Sequence, residues 1–208
     1  MREKLTGLYA ITDAKQDDPQ KLISDVGQAL LGGARIIQFR DKSNDAQQRL
    51  KTASQLRELT QQHNALFIIN DDVQLAEDCH ADGVHLGRDD SEIADARKQL
   101  GAAAIIGVSC YNDFSLAKQA ANNGANYIAF GRFFPSRTKP HAVIANLELL
   151  QKAQQELTIP IVAIGGINQE NAHALIDNGA NMLAVVDGLF NQLNIKQSAL
   201  HFQQLFKR

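Results

Sequence analysis

The chain has 208 residues, of which 44% are hydrophobic and 21% charged, and its formal net charge is −2. These values are typical of a folded globular domain, and they exclude a disordered chain and a protein held to nucleic acid or an anionic membrane by bulk positive charge. No run approaches the ~18 apolar residues that a membrane span needs, and the N-terminus lacks the apolar core of a signal peptide, so we predict one cytoplasmic domain over residues 1–208.

Short apolar runs alternate with longer polar-patterned segments along the whole chain, as repeated βα units do. The predicted strands are Leu8–Thr12, Arg35–Arg40, Leu66–Asn70, Gly83–Gly87, Ile105–Ser109, Tyr127–Gly131, Ile161–Gly165 and Met182–Val186. The predicted helices are Pro19–Leu31, Asp45–His63, Val73–Asp78, Ser91–Leu100, Asp113–Asn122, Asn146–Glu156, Gln169–Asp177 and Gln197–Phe206. Eight βα units in this length predict a single-domain α/β fold, the (β/α)8 TIM barrel. The alternative is an open sheet of six or seven strands.

Acidic residues follow two neighbouring strands. Asn70-Asp71-Asp72 ends the third strand, and Asp89-Asp90 comes shortly after the fourth. In a parallel barrel the loops after the strands meet at one face, and carboxylate and amide oxygens are ligands that suit Mg²⁺. Two acidic pairs at neighbouring strand ends therefore predict a Mg²⁺ site. The alternative is that each pair only caps the helix that follows it.

Cationic residues follow the second strand. Alternation along an extended segment places Gln38, Arg40 and Lys42 on one side, and two cations at that spacing suit a diphosphate. The alternative is a pair of solvated surface charges that bind Asp41 or Asp45.

The fourth predicted strand contains His85, and the fifth ends at Ser109. A single histidine within a strand, His85, is interpreted as a packed, hydrogen-bonded core residue rather than an acid, base or ligand. The hydroxyl of Ser109 is placed to donate to a phosphate oxygen. No nucleophile elbow surrounds Ser109 and no base adjoins it in sequence, so a hydrolase triad is not predicted.

The last three strands lead into segments suited to anions. The sixth runs into a stretch with hydroxyls and positive charge, including Ser136, Thr138 and Lys139. Glycines follow the seventh and eighth strands, where backbone N–H groups at a helix start bind phosphate in barrels of this class. For Gly165-Gly166 the alternative is a simple tight turn.

Taken together, these segments resemble the thiamine phosphate synthase family over nearly the whole chain. The shared segments, in the order and spacing of the family, are LYAITD, QFRDK, IINDD, GVHLGRDD, IIGVS, FGRFFPSRTKP, IVAIGGI and AVVDGLF. The resemblance implies a transferase that joins 4-amino-5-hydroxymethyl-2-methylpyrimidine diphosphate to 4-methyl-5-(2-phosphooxyethyl)thiazole, releasing diphosphate and giving thiamine phosphate.

The resemblance also implies roles for individual residues. The pyrimidine diphosphate would contact Gln38, Arg40, Lys42 and Asn70, with Ser109 and Lys139 completing the diphosphate site. Mg²⁺ would be held by Asp71 and Asp90. The thiazole phosphate would bind at Ser136 and Thr138 and at the backbone of Gly166, Val186 and Asp187.

Three positions depart from the family pattern. The family usually has threonine at Ser136, which keeps the hydroxyl, and glutamine at Arg88. It has serine or another neutral residue at Asp187, and a carboxylate beside a phosphate is unfavourable unless its side chain points away.

In the mechanism implied by the resemblance, the thiazole nitrogen attacks with its own lone pair, so no general base is needed. Arg40, Lys42, Ser109 and Lys139, with Mg²⁺, would stabilise the departing diphosphate in a dissociative substitution. Two other functions compete: a thiazole tautomerase-like isomerase, which would not need the cations or the metal ligands, and a non-catalytic barrel that binds a phosphometabolite. The expected partners are small-molecule substrates, and the sequence leaves homo-oligomer formation open.

Overall fold

The computed structural model of the protein describes residues 4–14, 16–88, 90–135 and 143–207. Its strands are β1 (Gly7–Ile11), β2 (Ile36–Phe39), β3 (Leu66–Asn70), β4 (Gly83–Leu86), β5 (Ile105–Tyr111), β6 (Tyr127–Phe130), β7 (Ile161–Ile164) and β8 (Met182–Val185). All pair in parallel and in chain order, and β8 returns to β1 with Gly7 opposite Met182. The predicted (β/α)8 barrel is confirmed, and the alternative of an open sheet is wrong.

Alternation along each strand divides the core into two layers. In β3, Leu66 and Ile68 belong to the cluster inside the barrel, whereas Phe67 and Ile69 belong to the larger cluster between the sheet and the helices. Both faces of the sheet are therefore buried, which explains why the strands read as continuous apolar runs. Inward-facing positions near the carboxyl ends of the strands are the ones that reach the site.

The helices are α1 (Pro19–Leu31), α2 (Ala46–Gln62), α3 (Val73–Asp78), α4 (Ile93–Leu100), α5 (Phe114–Asn122), α6 (Leu147–Glu156), α7 (Ala172–Asp177), α8 (Asp187–Phe190) and α9 (Ile195–Leu205). Most begin at a side chain that accepts a backbone N–H: Asp18, Asp45, Asp72, Asp113, Asn146 and Asn194. Within the described residues none is long and apolar enough to cross a membrane. The short helix α8 was not predicted, because four residues are too few to show a helical period.

The amino ends of β3, β5 and β7 are each fixed by a residue that lies just before the next strand in the chain. Its backbone N–H and its side-chain oxygen bind the same residue of the fixed strand, and we call this two-point contact a clamp. The N–H of Asn126 donates to the carbonyl oxygen of Ile106 at 2.7 Å, and its Oδ1 accepts the N–H of Ile106 at 2.8 Å. Asp82 binds Phe67 in the same two-point way, and Asn181 binds Ile161. These clamps hold β3, β5 and β7 at the barrel end opposite the site.

Candidate active site

A cavity of about 470 Å³ lies at the carboxyl ends of the strands. Inward-facing side chains such as Tyr9, Ile11 and Val162 form part of its wall. The structure brings seven of the predicted site residues into its lining: Gln38, Arg40, Asn70, Ser109, Gly166, Val186 and Asp187. They come from five different strand ends, as expected for the active face of a parallel barrel.

The end of β2 presents its cations beside this cavity. The backbone N–H of Arg40 donates to Thr12 Oγ1 at 2.9 Å, which holds the chain extended beyond Phe39. The Arg40 side chain lines the cavity and forms no ion pair with any residue that the structure describes. Lys42 binds neither Asp41 nor Asp45, so the surface-pair explanation is wrong for it: its Nζ lies 2.6 Å from Asp71 Oδ2.

The two acidic residues after β3, Asp71 and Asp72, have different roles. Asp72 is the N-cap of α3 and accepts the N–H of Leu75, so the capping explanation is correct for this residue. Asp71 does not cap the helix. Its φ of 65° lies in the left-handed region, and its carboxylate binds Lys42. A left-handed backbone at a non-glycine residue is uncommon and is found most often at asparagine and aspartate.

The capping explanation is also wrong for Asp90. The N-cap of α4 is Glu92, without a side-chain cap bond, whereas Asp90 accepts the N–H of Gly87 within its own loop. The carboxyl groups of Asp90 and Asp71 lie close enough to shift each other's pKa. The two predicted metal ligands therefore lie together at the ends of β3 and β4.

The two carboxyl groups respond in opposite ways to their contact. Burial acts to raise the pKa of Asp71, but the hydrogen bond and charge of Lys42, together with the Asp90 hydrogen bond, outweigh it and hold that pKa below its usual range. Burial and the neighbouring Asp71 raise the pKa of Asp90, and the Gly87 N–H offsets this only in part. Like charges at close range favour a proton or cation between them.

This pair fits a Mg²⁺ ion that retains several of its own waters. Mg²⁺ in enzymes is commonly bound by one or two carboxylates and by substrate phosphates. Among residues 4–14, 16–88, 90–135 and 143–207, no group of three or more acidic, histidine or cysteine side chains is placed to hold a metal. The donor set of Asp71 and Asp90 thus suits a cation that binds together with a phosphorylated substrate.

The turn after β7 shows why two glycines stand there. Gly165 has a φ of 101° and Gly166 one of 65°. A Cβ on Gly165 would lie 2.7 Å from the Cα of Arg132, and one on Gly166 would lie 2.3 Å from the carbonyl oxygen of Pro135. The glycines therefore let the loop after β6 cross this turn, which supports the tight-turn explanation and leaves phosphate binding as a prediction.

The segment after β8 also lines the cavity. Asp187 begins α8, and its Oδ1 accepts from Nδ2 of Asn191 at 2.9 Å, so one carboxylate oxygen is engaged at the end of its own helix. The predicted residues Ser136, Thr138 and Lys139 lie outside the described residues. Arg88, at the family's glutamine position, packs over the ring of Tyr111 with 4.7 Å between its guanidinium carbon and the ring centroid.

Sequence reasoning missed a polar chain in the floor of the cavity. The Nε2 atom of His85 lies 2.8 Å from Ser109 Oγ, and Nδ1 lies 3.0 Å from the hydroxyl of Tyr127. His85 is buried and hydrogen-bonded as predicted, with 8% of its surface exposed, but it also lines the cavity. No base adjoins Ser109 in sequence, but the pairing of β4 with β5 brings His85 beside it from 24 positions away.

Arg132 was also missed. Its side chain lines the cavity between the loops that follow β6 and β7. Its backbone N–H donates to the carbonyl oxygen of Val143, and its own carbonyl accepts from the N–H of Ala145. The chemical character of FGRFFPSRTKP suggested a cationic loop, but no spacing marked this arginine as the one that faces the cavity.

Comparison with known proteins identifies the family of this chain. The protein-family model described as thiamine monophosphate synthase matches residues 8–189. The thiamine-phosphate synthase of Nitrosococcus oceani is 50% identical over 206 residues, which cover 99% of this chain and 95% of the relative. That of Chromobacterium violaceum is 52% identical over 191 residues, 92% of this chain and 91% of the relative. The solved thiamine phosphate pyrophosphorylase of Pyrococcus furiosus superimposes with a TM-score of 0.86 at 34% identity, covering 98% of this chain and 96% of that one.

Proposed function

This chain belongs to the thiamine monophosphate synthase family, and we propose that its cavity joins a hydroxymethylpyrimidine diphosphate to a thiazole phosphate. The enzyme is a transferase, and its products are thiamine phosphate and diphosphate. The single observation that carries the proposal is the contact between Asp71 and Asp90 beside Lys42, at the barrel end where Arg40 faces the cavity. Acidic metal ligands and cations in one place suit a diphosphate leaving group.

The pyrimidine diphosphate would lie across the ends of β2, β3 and β5. Gln38 and Asn70 line the cavity, and their amide groups would contact the ring. Arg40, Lys42 and Ser109 would contact the diphosphate, joined by Lys139. When bound at Asp71 and Asp90, Mg²⁺ supplies positive charge to the leaving group.

The chemical step then depends on charge stabilisation by fixed groups. The attacking thiazole nitrogen carries a lone pair at neutral pH, so the enzyme does not have to remove a proton from it. Negative charge grows on the diphosphate as the bond to the pyrimidine methylene carbon breaks. Preorganised donors aimed at developing charge are the largest single contribution in many enzymes. Arg40, Lys42 and Ser109 would serve in this way.

The second substrate would bind on the opposite wall. Ser136 and Thr138, with backbone groups of Gly166, Val186 and Asp187, would hold the thiazole phosphate. The hydrogen bond from Asn191 Nδ2 to Asp187 Oδ1 supports this placement, because it directs one oxygen of the carboxylate along α8.

A reaction with both substrates and Mg²⁺ tests the function. We expect equal amounts of diphosphate and thiamine phosphate, and we expect both to depend on the metal. A matched pair of variants sharpens the test. Asp71→Asn removes a proposed metal ligand and should lower kcat about 10²-fold, whereas Asp72→Asn keeps an N-cap oxygen and should stay within about threefold of wild type.

Thiamine phosphate formed by Asp71→Asn at the wild-type rate would remove this residue from the site. An isomerase would convert the thiazole phosphate without releasing diphosphate, and a non-catalytic barrel would bind it without converting it. We further propose a cytoplasmic location, supported by the two buried free thiols of Cys79 and Cys110, since a reducing compartment preserves such thiols.

A further inference from the structure

Five polar side chains from five strands form one continuous chain of hydrogen bonds in the floor of the cavity. Gln38 Nε2 donates to the hydroxyl of Tyr9 at 2.7 Å, and that hydroxyl lies 2.7 Å from the hydroxyl of Tyr127. Tyr127 lies 3.0 Å from His85 Nδ1, and His85 Nε2 lies 2.8 Å from Ser109 Oγ. Tyr9 and Tyr127 are 1% and 0% exposed, so their hydroxyl groups depend on these contacts.

The first bond fixes the direction of the others. An amide nitrogen only donates, so the oxygen of Tyr9 accepts from Gln38. Among the described residues the hydroxyl of Tyr9 has one further hydrogen-bond partner, Tyr127, to which its own hydrogen must go. Tyr127 then has its hydrogen available for His85 Nδ1. The reverse order would leave a buried phenol hydrogen without an acceptor, which folded proteins avoid.

Both phenols keep their hydrogens at neutral pH. Burial raises the pKa of Tyr9 and of Tyr127 above the ordinary value of 10.0. Each therefore serves as one acceptor and one donor, and the chain of bonds has a single sense from Gln38 to His85.

We propose that this chain holds His85 as the tautomer with its hydrogen on Nε2, so that His85 donates to Ser109 and the Ser109 hydroxyl hydrogen points to the diphosphate. Tyr127 and His85 are positioning residues, and Ser109 is the group that contacts substrate. The inference deepens the proposed function and rests on it for the identity of the acceptor. It also separates this site from a hydrolase triad, where a carboxylate accepts from Nδ1 and Nε2 removes the serine hydrogen.

The tautomer is measured directly by nitrogen-15 NMR of the imidazole rings in the folded wild-type enzyme without substrates. The signals of His85 are assigned by their loss in His85→Gln. We expect Nε2 in the protonated range and Nδ1 in the unprotonated range. A hydrogen on Nδ1, or on both nitrogens, overturns the proposal. This measurement requires no turnover, so it stands or fails separately from the proposed reaction.

A double-mutant cycle, measured by steady-state kinetics, tests how the tautomer of His85 affects catalysis. Ser109→Ala should lower kcat about 10²-fold, the scale of one lost donor to developing charge. Tyr127→Phe removes the hydrogen that fixes His85, so Ser109 can donate to His85 instead, and kcat should fall at least about tenfold with KM for the pyrimidine diphosphate within about threefold. The double variant should lie within about twofold of Ser109→Ala alone, because the two changes remove the same interaction.

Multiplicative losses in the double variant overturn the proposal, as does a Tyr127→Phe enzyme with wild-type kcat. Thr60→Val is the matched control, since Thr60 is equally buried and its hydroxyl binds the carbonyl oxygen of Arg57 on the outer helix α2. It should leave kcat and KM unchanged. If Tyr127→Phe does not fold, the NMR measurement on the wild-type enzyme still decides the question.

Discussion

The ammonium nitrogen of Lys42 lies 2.6 Å from Oδ2 of Asp71, so the chain beyond β2 and the chain beyond β3 share an ion pair beside the cavity. The Lys42 side chain is 53% exposed. Exposed ion pairs contribute roughly 0–1 kcal/mol to stability, so folding alone does not account for this one. Its position near Asp90 fits the proposed contact with the leaving diphosphate.

Lys42→Ala should therefore separate activity from stability. We expect kcat to fall about 10²-fold, the cost of one lost charge contact to the leaving group, while the free energy of unfolding changes by less than about 1 kcal/mol. Steady-state kinetics and urea unfolding measure the two quantities. Lys51→Ala, which removes an exposed lysine on the outer helix α2, should change neither. A large loss of stability with near-normal turnover would assign Lys42 a structural role.

The fold and much of the cavity lining could be predicted because both depend on local patterns. Eight apolar runs separated by helical segments allow few arrangements other than a barrel, and the residues just beyond each strand must then lie at one face. This is why Gln38, Arg40, Asn70 and Ser109 were placed correctly from sequence.

Contacts between strands could not be predicted in the same way. The pairing of His85 with Ser109 depends on the register of β4 and β5, where His85 lies opposite Gly107. A clamp such as that of Asn126 on Ile106 depends equally on which strand is the neighbour. Asp71 and Asp72 have different roles because the backbone of Asp71 is left-handed. Two adjacent aspartates in a sequence give no sign of this difference.

The clamp at Asn126 should contribute to stability and not to catalysis. Its side-chain oxygen accepts from the N–H of Ile106 and from Arg97 Nη2, at the barrel end opposite the cavity. Asn126→Ala leaves both donors without this partner and should lower the free energy of unfolding by about 1–3 kcal/mol. Urea unfolding measures this loss, and kcat at a permissive temperature should be unchanged. The exposed Asn123→Ala should be neutral in both assays, and equal effects of the two changes would contradict the assignment.

The buried phenols predict how stability depends on alkaline pH. Burial raises the pKa of Tyr9 and Tyr127 above 10.0, so between that value and the folded-state values the unfolded chain loses phenol protons that the folded chain keeps. Their contribution is complete below pH 10.0 and is lost as the pH rises, at about 1.4 kcal/mol per pH unit for each phenol.

Urea unfolding from pH 8 to pH 11 measures this dependence. Tyr9→Phe removes one of the two phenols and should make the alkaline decline shallower, even if the variant is less stable at pH 8. An unchanged slope in Tyr9→Phe would show that other groups cause the decline, among them Cys79, whose pKa burial raises to about 11.

The turn after β7 gives a test of how closely two loops must approach for the second substrate to bind. Gly166 has a φ of 65°, and a Cβ there would lie 2.3 Å from the carbonyl oxygen of Pro135, so Gly166→Ala must displace the loop after β6. Gly124→Ala is the matched control: its φ is 91°, but its Cβ would meet nothing within 4 Å. Both changes should cost about 1–2 kcal/mol of stability through left-handed backbone strain. Only Gly166→Ala should raise KM for the thiazole phosphate, by about tenfold or more, and equal KM values in the two variants would show that the turn does not shape that site.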